Sequence, residues 1–340
     1  MKQTSQLGAH AHNFPRGRAA ELPKETLLKM YRDMVEQRRF EEATGRAYGL
    51  GKIMGFCHLY IGQEAISVGA AAALRPSDVM MSAYRIHAQA MARGVPPQAI
   101  MDELFGKATG CVQGLGGSMH IFDIAKGFWG GWGLVGQQVP TAAGVAFAQK
   151  YQSTSNITMV FFGDGAVHQG AIHETFNLAS VWGLPIVFVV ENNQYGMGTA
   201  LSRVSSLEPL HEMADAYKIR HYEFNGMDLL ESYDAFADAV DYAREHSRPV
   251  YLEAHCSRFR GHSMSDPGKY RTKDQLEEEK AHDPIPGFAA FLVDCGVTTH
   301  EALEAIDETA KAGMKLILER AEAAPWPDPE LISKYVLVSP

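Results

Sequence analysis

The chain has 340 residues, 46% hydrophobic and 21% charged, which is enough to bury a large core and excludes disordered, collagen-like and coiled-coil chains. Forty acidic residues against 31 basic ones give a net charge of −9, and no Lys/Arg-rich run occurs, so neither nucleic acid nor an anionic membrane surface is an expected partner. No apolar stretch approaches the ~20 residues that span a bilayer; the nearest, residues 184–190, is one strand long.

The amino terminus has no apolar signal core. It carries Lys2, Arg16 and Arg18 before its first acid, Glu21, in the manner of a weak transit peptide, and residues 1–28 read as a mobile arm. Leu27, Leu28, Tyr31, Met34 and Val35 recur at helical spacing and predict a long amphipathic helix over residues 24–48. Further helices are expected over 63–74 and 84–93, and Pro96 starts another that ends near Gly106. Between Gly106 and Gly136, ten of 31 residues are glycine, out of 32 in the chain. That density suits a backbone that turns tightly or approaches a ligand, and Phe128, Trp129 and Trp132 favour a packed, ligand-facing loop over a solvated one.

From Val139 the pattern becomes regular. A helix over 139–151 leads to an apolar strand over 157–162 and then Gly163-Asp164-Gly165. A helix over 169–182 leads to a second strand over 185–190 and then Glu191-Asn192-Asn193. A third strand near 221–224, a helix over 229–246 and a fourth strand over 249–255 follow, then a polar loop over 258–272 and mostly helix, ending among Pro325, Pro327 and Pro329. Continuous apolar strands alternating with helices predict an α/β fold, a parallel sheet with helices on both faces and helical N- and C-terminal extensions. The divisions are the arm at 1–28, an α/β domain over 29–265, and a loop and helical extension over 266–340. Cys57, Cys111, Cys256 and Cys295 form no CxxC pair, which disfavours a cysteine zinc site or a disulfide scaffold and fits a reducing compartment.

Ligands of an open parallel sheet sit past the carboxyl ends of its strands. Two such ends carry oxygen donors, Asp164 in its Gly-Asp-Gly turn and Asn193, with 26 residues between Gly165 and Asn192. A carboxylate, an amide oxygen and a carbonyl at Tyr195 make a hard, oxygen-only site suited to Mg2+ with phosphate oxygens, and the flanking glycines allow backbone N–H groups to meet a diphosphate. Either motif alone is a common turn; at successive strand ends of one βαβ unit the pair is specific, and it is the diphosphate-and-magnesium signature of thiamine diphosphate enzymes.

With Gly55-Phe56-Cys57-His58-Leu59-Tyr60, Gly62-Gln63-Glu64-Ala65, Gly116-Gly117-Ser118-Met119-His120, Asn192-Asn193-Gln194-Tyr195-Gly196-Met197-Gly198-Thr199 and Gly261-His262-Ser263-Met264-Ser265-Asp266-Pro267-Gly268, the chain resembles, over roughly residues 28–290, the α subunits of the decarboxylating component of pyruvate dehydrogenase. These belong to the thiamine diphosphate-dependent 2-oxo acid dehydrogenases. The resemblance implies Mg2+ held by Asp164, Asn193 and the Tyr195 carbonyl, and a diphosphate against Gly165 and Ala166, with Tyr84 and Arg85 also reaching the phosphates. It further implies Gly133 and Val135 along the aminopyrimidine, and His58 and His262 at the reacting carbon as catalytic residues, His262 also touching the cofactor. The expected activity is decarboxylation of pyruvate with acetylation of the lipoyl group on the acyltransferase component, in the bacterial cytoplasm rather than the mitochondrial matrix.

The glutamate that activates the aminopyrimidine sits, in the family, on a second α/β domain for which this chain has no room. A separate β subunit, in an α2β2 heterotetramer, is the expected source.

On their residues alone, His58 reads equally as a half-buried histidine, His262 as a solvated turn and Arg85 as a surface helix cation. Gly131-Trp132-Gly133-Leu134-Val135-Gly136 fits a dinucleotide-binding pattern, but no strand is expected before it and no acid lies about 20 residues on, where residues 153–156 sit. His168 and His173 are not at helical zinc spacing, and His10 and His12 have no expected role. The family pattern is departed from at Ala166-Val167-His168-Gln169-Gly170, where an Asn-Gln-Gly is usual, at Asn225, where an aspartate is usual, and at Lys269, beside a shortened segment that retains Ser263. The rivals are an acetoin or branched-chain 2-oxo acid dehydrogenase α subunit, a non-catalytic scaffold, which the intact Asp164/Asn193 pair disfavours, and a nicotinamide dehydrogenase.

Overall fold

The computed structural model describes residues 14–335. In chain order its elements are α1 (Lys24–Gly49), α2 (Glu64–Ala73), β1 (Val79–Ser82), α3 (His87–Ala92), α4 (Pro97–Leu104), β2 (Phe128–Gly131), α5 (Gln138–Tyr151), β3 (Thr158–Gly163), α6 (Gly170–Trp182) and β4 (Ile186–Asn192). A minimal hairpin, β5 (Tyr195–Gly196) and β6 (Thr199–Ala200), precedes β7 (Arg220–Asn225), α7 (Leu229–His246) and β8 (Val250–His255). The chain ends in α8 (Lys273–Lys280), α9 (Pro284–Asp294), α10 (His300–Ala323) and α11 (Leu331–Lys334).

Six strands form one parallel sheet in the order β2-β1-β3-β4-β8-β7. The central strands are apolar at successive positions because both faces are covered. Met159, Phe161, Val187 and Val189 pack with Phe40 of α1, Ile66 of α2 and Phe236 of α7 on one face. Val160, Phe162, Phe188 and Val190 pack with Ala142 of α5 and Ile172 and Phe176 of α6 on the other. A third cluster, including Leu27, Met34, Phe288, Leu292 and Leu303, seats α9 and α10 against α1.

The expected fold is therefore present, with additions. The sequence reading found four strands; β1 and β2 complete the sheet at the far edge. Both are four residues long and β2 is half glycine, so the strand-favouring Val79, Phe128 and Trp129 stand in runs too short to read as strands. The helix expected from residue 84 begins only at His87, which leaves Tyr84 and Arg85 in a non-helical link after β1. The arm is docked over its described part: Gly17 and Ala19 donate backbone N–H groups to Asp234, at 2.6 and 2.7 Å, and Phe14 is buried against Tyr222. His10 and His12 lie outside the described residues. Among the described residues no helix is long and apolar enough to cross a membrane.

The glycine-rich stretch is packed, and one side chain organises it. Glu103, fully buried at the end of α4, accepts N–H groups from Val112 (2.9 Å) and Gly114 (2.9 Å) on one oxygen and from Gly116 (2.7 Å) and Gly117 (3.1 Å) on the other. A Cβ at Gly116 would overlap the His120 carbonyl oxygen, so the chain can wrap this closely only with hydrogen there. Glu103→Gln keeps the shape but turns an acceptor into a donor facing two N–H groups. Because orphaned buried donors cost ~1–3 kcal/mol each, a loss of at least ~2 kcal/mol is expected in urea denaturation. A change below ~0.5 kcal/mol, ordinary for a surface substitution, would contradict the clamp.

Candidate active site

β3 and β4 lie in register, with Gly163 beside Glu191, so the residues that follow them leave the sheet together. Asp164 opens a single 3-10 turn, Asp164–Ala166, and Asn193 follows β4. The Asn193 and Gly165 backbone N–H groups both act on the Asp164 carboxyl, which places the two loop tips against each other. Asp164 is buried, and its Oδ2, like Oδ1 of Asn193, has no hydrogen-bond partner among the described residues. Buried acceptors without donors are costly and rare. Burial raises the Asp164 carboxyl to about 6 against the pull of Arg258 and the backbone N–H groups.

A cation between these oxygens relieves both penalties, and the donor chemistry fits a hard divalent ion with phosphate. Tyr195 stands on β5, which packs on the Asp164 turn, while its hydroxyl pairs with Gln275 at 3.2 Å. Ala166 is buried. A Cβ on Gly165 would lie 3.1 Å from Cα of Gly196, so backbone meets backbone here.

Three aromatic rings gather beside Arg85 and Arg258. The His58 ring lies 4.6 Å from that of Tyr84 and 5.2 Å from that of His262, and Tyr84 and His262 are 5.7 Å apart, centroid to centroid. His58 is buried, not half-buried, and its Nδ1 has no hydrogen-bond partner among the described residues. Arg85, read alone as a surface cation, is buried; it donates to the carbonyls of Leu59 (2.5 Å) and His262 (2.7 Å) and so ties the two histidine loops together.

Arg258 approaches Nδ1 of His262 at 2.8 Å. A guanidinium can only donate, so Nδ1 accepts, and the neutral ring carries its proton on Nε2, which faces the Tyr84 hydroxyl at 3.5 Å. Burial and then Arg85 hold His58 down to about 2 and His262 down to about 4.

Gly133 lies against His120, whose Cε1 would be 3.1 Å from an added Cβ, and Val135 is exposed. They belong to the turn from β2 into α5. A strand thus does precede the dinucleotide-like glycines, contrary to the sequence expectation; the missing acid still separates this turn from a nucleotide fingerprint. His168, at the departure from the family pattern, pairs with Ser205 at 2.9 Å.

Sequence reasoning missed the buried polar layer beneath the site. Glu41 of α1 pairs with His87 Nδ1 (2.9 Å), whose Nε2 pairs with Ser118 (2.9 Å), and Ser118 reaches the His58 backbone N–H at 3.4 Å. Tyr60 donates its hydroxyl to Glu191, to which Gln89 also donates at 3.1 Å, and burial pushes the Glu191 carboxyl up to about 7. Arg258, equally unforeseen, is pushed down to about 10 by burial and Arg85. One signal was present: Glu191 is the acid that ends an otherwise apolar strand, where charge requires a partner.

The depressed histidines set a pH dependence. An unfolded imidazole titrates near 6.5, but folded His262 titrates near 4, beside Arg85, Arg258 and Asp266. Between these values the unfolded chain binds protons that the folded chain refuses, so stability falls as pH falls through this window. The thermal midpoint of His262→Gln is expected to decline less between pH 6.5 and 4 than that of the parent; parallel declines would contradict the assignment.

The dehydrogenase E1 component family matches residues 32–330. The pyruvate dehydrogenase E1 component subunit alpha of Rickettsia bellii is 44% identical over 315 residues, 93% of this chain and 97% of that one. The subunit of the same name from Rhizobium meliloti is 43% identical over 317 residues, covering 93% of this chain and 91% of its own. The mitochondrial subunit of Saccharomyces cerevisiae is 43% identical over 317 residues, 92% of this chain and 74% of its own. With a parallel sheet whose strand ends present orphaned oxygens beside a histidine cluster, the chain belongs to the thiamine diphosphate-dependent dehydrogenase E1 component family.

Proposed function

We propose that this chain is the α subunit of a pyruvate dehydrogenase (acetyl-transferring), acting in the cytoplasm, with Mg2+ held by Asp164, Asn193 and the Tyr195 carbonyl. The observation that carries the reading is the pair of buried, unpartnered oxygens at Asp164 and Asn193. Gly165 and Ala166 then receive the diphosphate, with Tyr84 and Arg85 beside it, and Gly133 and Val135 border the aminopyrimidine. When bound, thiamine diphosphate supplies a carbon nucleophile and an electron sink for decarboxylating a 2-oxo acid.

The chain's own residues orient and protonate. His262, neutral at pH 7, presents its Nε2 proton on the side shared with Tyr84 and His58, where it donates to a developing oxyanion. His58, also neutral and with no partner for Nδ1 among the described residues, offers that nitrogen there as a hydrogen-bond acceptor. Arg85 and Arg258 fix the ring positions and keep both rings uncharged.

A β subunit completing the site, in an α2β2 assembly, is supported by an exposed apolar face on α5 and α6. Phe147, Tyr151, Leu178, Val181 and Trp182 are all exposed there, and the Phe147 ring lies 5.4 Å from that of Trp182. Contiguous apolar surface of this kind marks an interaction site. The lipoyl domain of the acyltransferase component is the proposed acceptor of the acetyl group.

Two experiments test the reading. Asp164→Ala is expected to fold as the parent does by circular dichroism and to bind thiamine diphosphate with Mg2+ more weakly by over the ~100-fold that loss of an outer-shell contact can cause; undiminished affinity would refute the metal site. The chain co-purified with a β subunit is expected to decarboxylate pyruvate faster than acetoin or branched 2-oxo acids, and the chain alone to be nearly inactive. A different preferred substrate would overturn the pyruvate assignment, and vigorous turnover by the lone chain would overturn the shared site.

A further inference from the structure

We propose that His211, Glu223 and Glu253 form a second metal site, for one divalent first-row transition ion of the Zn2+ type, apart from the Asp164 site. One ligand atom of each lies within 4.8 Å of the other two. The site forms where the 3-10 helix Leu210–Tyr217 crosses the ends of β7 and β8.

Glu223 and Glu253 are register neighbours on this parallel pair, so their side chains leave the same face of the sheet. The Glu253 side chain is fully buried and that of Glu223 is 14% exposed. Adjacent like charges on one sheet face repel, and burial deepens the cost.

The hydrogen bonds around His211 prepare it as a ligand. Asp215 can only accept when ionised, so Nε2–H of His221 donates to it at 2.8 Å. In a neutral His221 the remaining Nδ1 accepts, which requires His211 to donate its Nδ1–H across the 2.7 Å between them. The His211 Nε2 lone pair is then left facing Oε2 of Glu223 at 3.8 Å. In that tautomer His211 turns a lone pair toward the Glu223 carboxylate, the arrangement a bound cation would use.

The other partners orient the carboxylates. His255 Nε2 pairs with Glu223 at 2.8 Å and lies 3.9 Å from Oε1 of Glu253. Glu253 accepts the Asn192 amide on Oε1 at 2.6 Å and the His211 backbone N–H on Oε2 at 2.8 Å. Such outer hydrogen bonds are the usual supports of metal ligands. Mixed imidazole and carboxylate donors select zinc-like ions over Mg2+ or Ca2+, which take oxygen alone. Donors at zinc distances stand about 3.3 Å apart around a tetrahedral ion, so the 3.8 Å between His211 and Glu223 closes by about half an ångström and any pair at the 4.8 Å limit by about 1.5 Å, with water in the open position.

The test uses the full chain, stripped with a chelator and saturated with Mg2+ and thiamine diphosphate, then titrated with Zn2+ by calorimetry. One ion is expected to bind, both in the parent and in Asp164→Ala. Glu223→Gln and His211→Gln are each expected to weaken it by more than ~100-fold, and Asp215→Asn, which acts through the histidine pair, by about 10-fold. X-ray absorption of the zinc-loaded parent, which needs no variant to fold, is expected to show nitrogen and oxygen ligands including imidazole, with no sulfur. Absence of Zn2+ binding, affinity unchanged in both ligand variants, or a sulfur ligand such as Cys256 would overturn the proposal.

Discussion

Two strands in register, each followed by an oxygen without a hydrogen-bond partner among the described residues, are the constraint from which the candidate site follows. Parallel pairing of Gly163 with Glu191 brings the Asp164 turn and the Asn193 loop to one place whether or not the local chemistry favours it. Among the described residues, one Asp164 carboxylate oxygen and the Asn193 amide oxygen are buried without hydrogen-bond partners on these two adjacent loops. Gly165 and Gly196 let the two backbones touch, so the loops hold each other in position and the donors are set before any ligand arrives.

Around this centre the protein uses arginines as framework. Arg85 spends its N–H groups on the carbonyls of Leu59 and His262, and Arg258 spends one on the His262 ring, so the histidines are placed by groups that stay charged at neutral pH. The same positive charges suppress protonation of the rings they hold. Beneath them, Glu103 does for the glycine-rich loop what the strands do for Asp164: it fixes a segment with little side-chain packing of its own through four backbone N–H groups.

The central strands, the helices between them and the Asp164/Asn193 pair were legible because each rests on local pattern: apolar runs such as residues 158–162, periodicity such as that of α7, and turn chemistry directly after a strand. β1 and β2 were not, because a four-residue strand holds its place by pairing and is too short to set up a pattern of its own. The buried layer of Glu41, His87 and Ser118 was hidden for another reason. Its members come from three distant segments, and nothing in α1 distinguishes Glu41 from its solvent-facing neighbour Glu42 except the tertiary contact it makes. Arg258 lay inside a loop read as polar and solvated, yet it is buried.

The aromatic and aliphatic face of α5 and α6 also bears on how such a chain can be made. Tyr151 and Val181 leave most of their surface in water, at 82% and 69% exposure, beside the exposed rings of Phe147 and Trp182. A polypeptide that folds correctly and still presents this surface is adhesive in its finished state, not merely while folding. Its synthesis therefore has to be matched in amount and timing to whatever shields that face, since any surplus would cling to itself and to bystanders in a crowded cell.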